Sequence, residues 1–212
     1  MISHLYKFIL ILPPKTGSTS VITNLIDYAN IRVVLDQKNL NTFDFFEHVE
    51  DFDQVYWNSF TGRTNSPRKH AGVSSYLNHH IENYDIFAMI RNPYDRILSL
   101  WKWETRTKTE FKNTTFKNWL SINPAIWWKQ PQLSFLYSEI KDISKINLIR
   151  FENLQSDFDS ACEKIGIPRQ QLPHKNKTNH KHYTEYYDDE TRQIIVEIYG
   201  RDIKYLGYKF GE

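Results

Sequence analysis

The chain has 212 residues, 27 Lys and Arg against 25 Asp and Glu for a formal charge of +2, and a hydrophobic share of 40%. That length and apolar content fill a substantial core and exclude a disordered chain, and a charge so near balance is not that of a nucleic-acid-binding protein. Glycine is scarce, with 7 residues and no Gly-x-Gly pair, so neither a dinucleotide fingerprint nor a Walker loop can be written, which disfavours a Rossmann dehydrogenase and an ordinary P-loop kinase.

In chain order, residues 6–12 form a short apolar run ended by Pro13-Pro14. It is too short for a membrane span or a secretory signal, and reads as a buried strand. Residues 31–35, 85–90 and 145–150 are similar near-continuous apolar runs, the pattern of strands covered on both faces. Helical spacing follows Gly17 in Val21, Ile22, Leu25 and Ile26, with Ser18, Thr19 and Ser20 available as caps. A second helix is expected after Ser156, whose Ser-x-x-Asp opening and closing Gly166 and Pro168 mark its ends. A third is expected from about Asp188 through Ile194, Ile195 and Ile198 to Gly200. The alternation predicts an α/β fold, one domain over residues 1–212 with a central parallel β-sheet flanked by helices. The lone cysteine, Cys162, lies in an amphipathic stretch and reads as a small buried apolar residue.

In such sheets ligands bind beyond the carboxyl ends of the strands. The turn Pro14-Lys15-Thr16-Gly17-Ser18-Thr19-Ser20 offers a lysine, a glycine, hydroxyls and helix-start amides, which suit an anion such as phosphate. It also suits a plain capped helix with Lys15 in solvent. After residues 85–90 comes Arg91-Asn92-Pro93-Tyr94-Asp95-Arg96, with Ser99 eight residues beyond Arg91, a guanidinium and a hydroxyl able to reach one phosphate. Asp95 and Arg96 read as a local ion pair of mainly structural role. The histidines, among them His79-His80, His174, His180 and His182, form no set with metal-ligand spacing, so no metal is expected.

These residues resemble the sulfotransferases that use 3′-phosphoadenosine 5′-phosphosulfate (PAPS), especially the branch of carbohydrate sulfotransferases and their bacterial relatives. The stretch 14–20 is similar to that family's 5′-phosphosulfate loop, where the lysine precedes the glycine. Arg91 to Arg96 with Ser99 is similar to its 3′-phosphate motif, and Ile149-Arg150-Phe151-Glu152-Asn153-Leu154 and the tail from Pro173 to Phe210 also read like this branch. The resemblance implies that the domain is of P-loop type, with a donor-binding set of Lys15, Thr16, Gly17, Ser18, Thr19, Ser20, Arg91 and Ser99, and with Lys15 beside the bridging oxygen. It implies a loop over the donor carrying Thr178 and Lys181, PAPS as co-substrate and PAP as product, and no metal. It makes His70 the base for the acceptor hydroxyl, a role that competes with His70 capping a helix, and leaves His79 and His80 as substitutes. The acceptor is expected to be a saccharide or glycolipid. Trp101, Trp103, Trp119, Trp127 and Trp128 can stack on a sugar or fill a core, and Arg106, Lys108, Lys129 and Gln132 are candidates for holding an acidic saccharide. Rival readings are a metal-dependent nucleotide kinase and a non-catalytic nucleotide- or glycan-binding module. With the phosphate loop a dozen residues from Met1, a cytoplasmic enzyme is expected.

Overall fold

The structure is a computed structural model and describes residues 1–3, 5–28, 32–35, 43–46, 83–122, 129–136, 143–173 and 181–212. Its centre is a sheet of β1 (Ile2–Ser3), β2 (Phe8–Ile11), β5 (Asp85–Ile90) and β6 (Ile146–Arg150), in the order β1-β2-β5-β6. The last three run parallel, Ile9 opposite Ile86 and Ala88 opposite Leu148, as their double-sided apolar pattern predicts. The sheet is not wholly parallel: the short β1, which the sequence did not signal, pairs antiparallel with β2 at the edge. The apolar run at 31–35 also departs from expectation. It forms β3 (Arg32–Leu35), which pairs antiparallel with β4 (Phe43–Phe46) in a separate two-stranded sheet.

Alternation along the strands fills two layers. Phe8, Leu10, Phe87 and Met89 join Val21, Ile22 and Leu25 of α1 (Ser18–Leu25). With them pack Phe158, Ala161, Cys162 and Ile165 of α5 (Leu154–Ile165). Ile9, Ile11, Ala88 and Ile90 turn the other way, against Leu133 and Leu136 of α4 (Leu133–Leu136) and Leu206 of α6 (Asp189–Leu206). Fully burying each of these large side chains contributes about 1.5–3 kcal/mol, which is what drives both faces of the strands out of water. Cys162 is buried in the first layer, as its surroundings in the sequence imply. A third, aromatic cluster joins α2 (Pro93–Thr107), α3 (Phe116–Ser121) and α6 through Tyr94, Phe116, Trp119, Tyr183 and Tyr199.

The helix ends follow local chemistry with two exceptions. Asp188 caps α6 in a capping box with Thr191, and Gly166 closes α5 in the left-handed region. However, α5 starts at Leu154 rather than after Ser156: both residues of the expected opening are used within the helix start, the Ser156 hydroxyl donating to Asn153 O at 3.2 Å and Asp159 accepting from Gln155 Nε2 at 2.7 Å. And α6 passes Gly200 with a kink at Tyr199 and ends at Leu206, where Gly207 takes a φ of 74°. The buried Tyr199 hydroxyl, donating to the Lys129 carbonyl at 2.6 Å, holds the helix across the glycine that was expected to stop it. No helix among the described residues is long and apolar enough to cross a membrane.

Candidate functional site

The carboxyl ends of β2, β5 and β6 lie side by side, and each leads into a helix through a turn. The first turn, 12–17, is locally strained: Lys15 has a φ of 68° and Gly17 of 83°. A non-glycine residue held there costs of order 1–3 kcal/mol, which the surroundings must supply. They do so through carbonyls. The buried Thr16 hydroxyl donates to Pro13 O at 2.8 Å, Arg96 Nη1 to Pro14 O at 3.2 Å, and Arg91 Nη1 to Lys15 O at 3.1 Å. With successive carbonyls tied inward, the loop leads into the amides and positive dipole end of α1. Ser20 lies one turn in, its hydroxyl donating to Pro173 O at 3.2 Å.

The second turn, 91–92, is assembled from distant pieces. The Arg91 guanidinium donates from Nε and Nη2 to Asp95 Oδ2 at 2.9 and 2.7 Å. With the bond to Lys15 O this uses three of its five N–H groups, and the other two make no bond among the described residues. Ser99, two turns into α2, likewise donates to none of them. The Asn92 amide donates to Glu152 Oε1 at 2.6 Å, and its side-chain oxygen caps Tyr94 N at 3.1 Å. Asn92 Nδ2 lies within 3.3 Å of the Tyr183 hydroxyl and of the Lys209 and Glu212 carbonyls, which seats the last residues of the chain on this turn. The expected 95–96 ion pair is therefore replaced. Asp95 pairs with Arg91, while Arg96, fully buried, holds the Pro14 and Gln130 carbonyls.

Phe151, at the end of β6, joins the turns. The Arg91 guanidinium carbon stands 3.9 Å from its ring centre, and a Cβ placed on Gly17 would meet that ring at 2.7 Å. Only glycine lets the lysine loop close onto Phe151. On the far side Lys15 Nζ stands 5.6 Å from the centre of the Trp103 ring, one helical turn beyond Ser99.

Of the residues singled out from the sequence, Lys15 through Ser20 and Arg91 thus fall in the adjoining turns, and Ser99 stands one turn before Trp103 on α2. Lys181 is exposed and pairs with Glu185 at 3.1 Å. His70, Thr178, His79, His80, Trp127 and Trp128 lie outside the described residues. Several acceptor candidates are otherwise employed. Lys129 is buried, donating to Trp119 O and Ile122 O at 3.1 Å each, and burial pulls its ammonium down to about 8. Gln132 is buried against the main chain of Arg91, and Lys108 is paired with Glu104. Trp119 is fully buried with its indole donating to Glu104, and Trp101 donates to Thr114 O. Phe151 and Glu152 carry no individual role in the sequence reading; the signal for them is their position just beyond a strand end.

Three parallel strand ends and two cation-bearing turns make an α/β fold with a face suited to an anionic ligand. The model of the sulfotransferase family matches residues 1–209, and the chain belongs to that family: it is a transferase that moves a sulfuryl group. The crystal structure of a sulfotransferase from Alicyclobacillus acidocaldarius superposes with a TM-score of 0.52. The match covers 95% of this chain and 96% of that one at 16% identity, and supports the fold. No curated protein matches the chain. The rival readings, kinase and inert binding module, give way to this membership.

Proposed function

We propose that the enzyme transfers sulfuryl from PAPS to a hydroxyl of a saccharide or glycolipid. The observation that carries the reading is the bond from Arg91 to Lys15 O, which joins two cation-bearing turns beside the Phe151 ring. A donor phosphorylated at both ends of its ribose needs two such anion sites. The residues fit it: Arg91 keeps two N–H groups without a bond among the described residues, and Ser99 stands on the helix that follows it.

The donor supplies an activated sulfuryl group: the acceptor oxygen bonds to sulfur as the sulfur–oxygen bond to the 5′-phosphate breaks and PAP leaves. Lys15 holds the charge that develops on the bridging oxygen, with the Thr16 to Ser20 amides around the 5′-phosphate. Arg91 and Ser99 hold the 3′-phosphate. His70 takes the acceptor proton, and the segment bearing Thr178 and Lys181 covers the nucleotide and keeps water out. Trp103, beside the Lys15 ammonium, supports an acceptor with an apolar face such as a sugar ring. The single, buried cysteine supports a cytoplasmic setting.

Calorimetry with PAP and with ADP, each with and without magnesium, tests the donor: PAP binds more tightly and without need of the metal. Transfer of radiolabelled sulfate from PAPS to a glycan panel identifies the acceptor. His70→Ala lowers turnover about 10²- to 10⁴-fold with PAP affinity unchanged; a variant with full turnover removes His70 as the base.

A further inference from the structure

Arg91 lies just past the last ladder pairs on both sides of β5, which end at Ile11 with Ala88 and at Arg150 with Ile90. Its main-chain N–H and C=O therefore need partners other than a strand, since a buried peptide group left unpaired costs about 1–3 kcal/mol. The Gln132 side chain supplies both. Its Oε1 accepts from Arg91 N at 2.8 Å and its Nε2 donates to Arg91 O at 2.8 Å, a primary amide standing in for one residue of a neighbouring strand. Gln132 is 0% exposed, so no water competes for these bonds.

Gln132 is in turn fixed from α6. Asp202, also 0% exposed, accepts from Gln132 N at 2.6 Å through Oδ2 and from Leu133 N at 3.0 Å through Oδ1. Just ahead of it the same segment is held by Tyr199 on Lys129 O and by Arg96 on Gln130 O, each at 2.6 Å. Burying a carboxylate costs several kcal/mol even with partners, and apolar packing would hold α4 to the sheet more cheaply. What apolar packing would not do is grip one particular peptide with both a donor and an acceptor.

We propose that Gln132 and Asp202 are positioning residues for the anion site at Arg91. They form a buried relay, from α6 through residues 132–133 to the Arg91 main chain, that sets the direction in which the guanidinium leaves the end of β5. The inference rests on the reading that Arg91 holds the donor's 3′-phosphate. It extends that reading to two residues 41 and 111 positions further along the chain, neither of which touches the nucleotide. Loosening the relay lets the guanidinium drift, and a displacement of about 1 Å in such a group is enough for large losses.

The test is the ratio of affinities for PAP and 5′-AMP, which differ only in the 3′-phosphate, measured by calorimetry. For Gln132→Leu we expect PAP affinity to fall roughly 10- to 100-fold, in the range of outer-shell substitutions, with 5′-AMP affinity little changed. Gln132→Glu keeps the acceptor for Arg91 N and loses the donor to Arg91 O, and should fall between. Equal losses for both nucleotides, or none, overturn the relay. Should Gln132→Leu not fold, the near-isosteric Asp202→Asn carries the same test, with the ratio again expected to drop and an unchanged ratio overturning the proposal. Arg91→Ala separates the two levels. If it leaves the ratio intact, the 3′-phosphate reading itself fails; if it collapses the ratio while the Gln132 and Asp202 variants do not, only the relay fails.

Discussion

The two cation-bearing turns are built by opposite means. The lysine loop is made locally: two positive φ angles within three residues, a Thr16 hydroxyl on a carbonyl three residues back, and a helix start. The arginine turn is made at long range, its peptide groups held by Gln132 and Glu152 and its Asn92 side chain by Tyr183 and residues 209–212. The first takes its shape mainly from its own residues, with Arg91 and Arg96 bracing two of its carbonyls from outside, so changes within it weigh most. A turn of the second kind fails when any of several distant elements moves.

Of the changes within the two turns, Lys15→Ala should have the largest effect on activity and leave the fold alone. Alanine meets the φ of 68° at much the same cost as lysine, so the loop persists while its ammonium is lost. The expected outcome is a fall in kcat of roughly 10²–10³ with a thermal midpoint close to that of the parent, read by steady-state kinetics and thermal unfolding. A large drop in midpoint would mean that the lysine braces the loop.

Gly17→Ala tests whether the two turns are coupled through Phe151. A methyl at a φ of 83° costs about 1–3 kcal/mol, and here it also pushes on the Phe151 ring that carries the Arg91 guanidinium. A lower thermal midpoint is expected together with weaker binding of both nucleotides and a larger loss for PAP than for 5′-AMP. Equal losses for the two would leave the turns independent.

A smaller effect is expected from Lys129, which anchors the segment before Gln132 to the end of α3. Burial is the main cause that brings its ammonium from 10.5 down to about 8, with the Glu104 carboxylate raising it and Lys108 lowering it. Between those two pH values the unfolded chain binds the proton and the folded chain does not, so stability rises with pH across that window. The midpoint of the parent relative to Lys129→Met should climb from pH 8 to 10.5. A flat difference would mean that the buried amine keeps its ordinary affinity for protons.

The same contrast between local and long-range construction separates the parts of the site that are legible in the sequence from those that are not. The lysine loop is legible because its lysine, glycine and hydroxyls sit within seven consecutive residues, 14–20, although the arginines that brace it do not, and Arg91 and Ser99 are legible because a strand end and one helix carry them. Gln132 is not. Nothing near it distinguishes an amide that pairs with a peptide 41 residues away from one that greets an acceptor, and the second use was the one expected of it. Nor does sequence separate Trp103, beside Lys15, from Trp119, sealed in the core, because both stand in helices of mixed polarity. The 95–96 pair failed for a related reason. Adjacent residues on a helix point about 100° apart, and Asp95 instead meets Arg91 four residues before it.

By itself the sequence determined what local sterics and periodicity determine: three parallel strands with apolar faces on both sides, helices ended by Gly166 and opened by Asp188, and a glycine where the lysine loop needs a positive φ. These follow from interactions between residues a few positions apart, which every copy of the pattern repeats. Only the tertiary structure decided that β3 pairs with β4 outside the main sheet, that α6 runs on past Gly200, and that a buried Asp202 and Gln132 complete the end of β5. Those outcomes depend on which distant groups desolvate one another, and a hydrogen bond hidden from water is set by the partner that arrives rather than by the residues alongside.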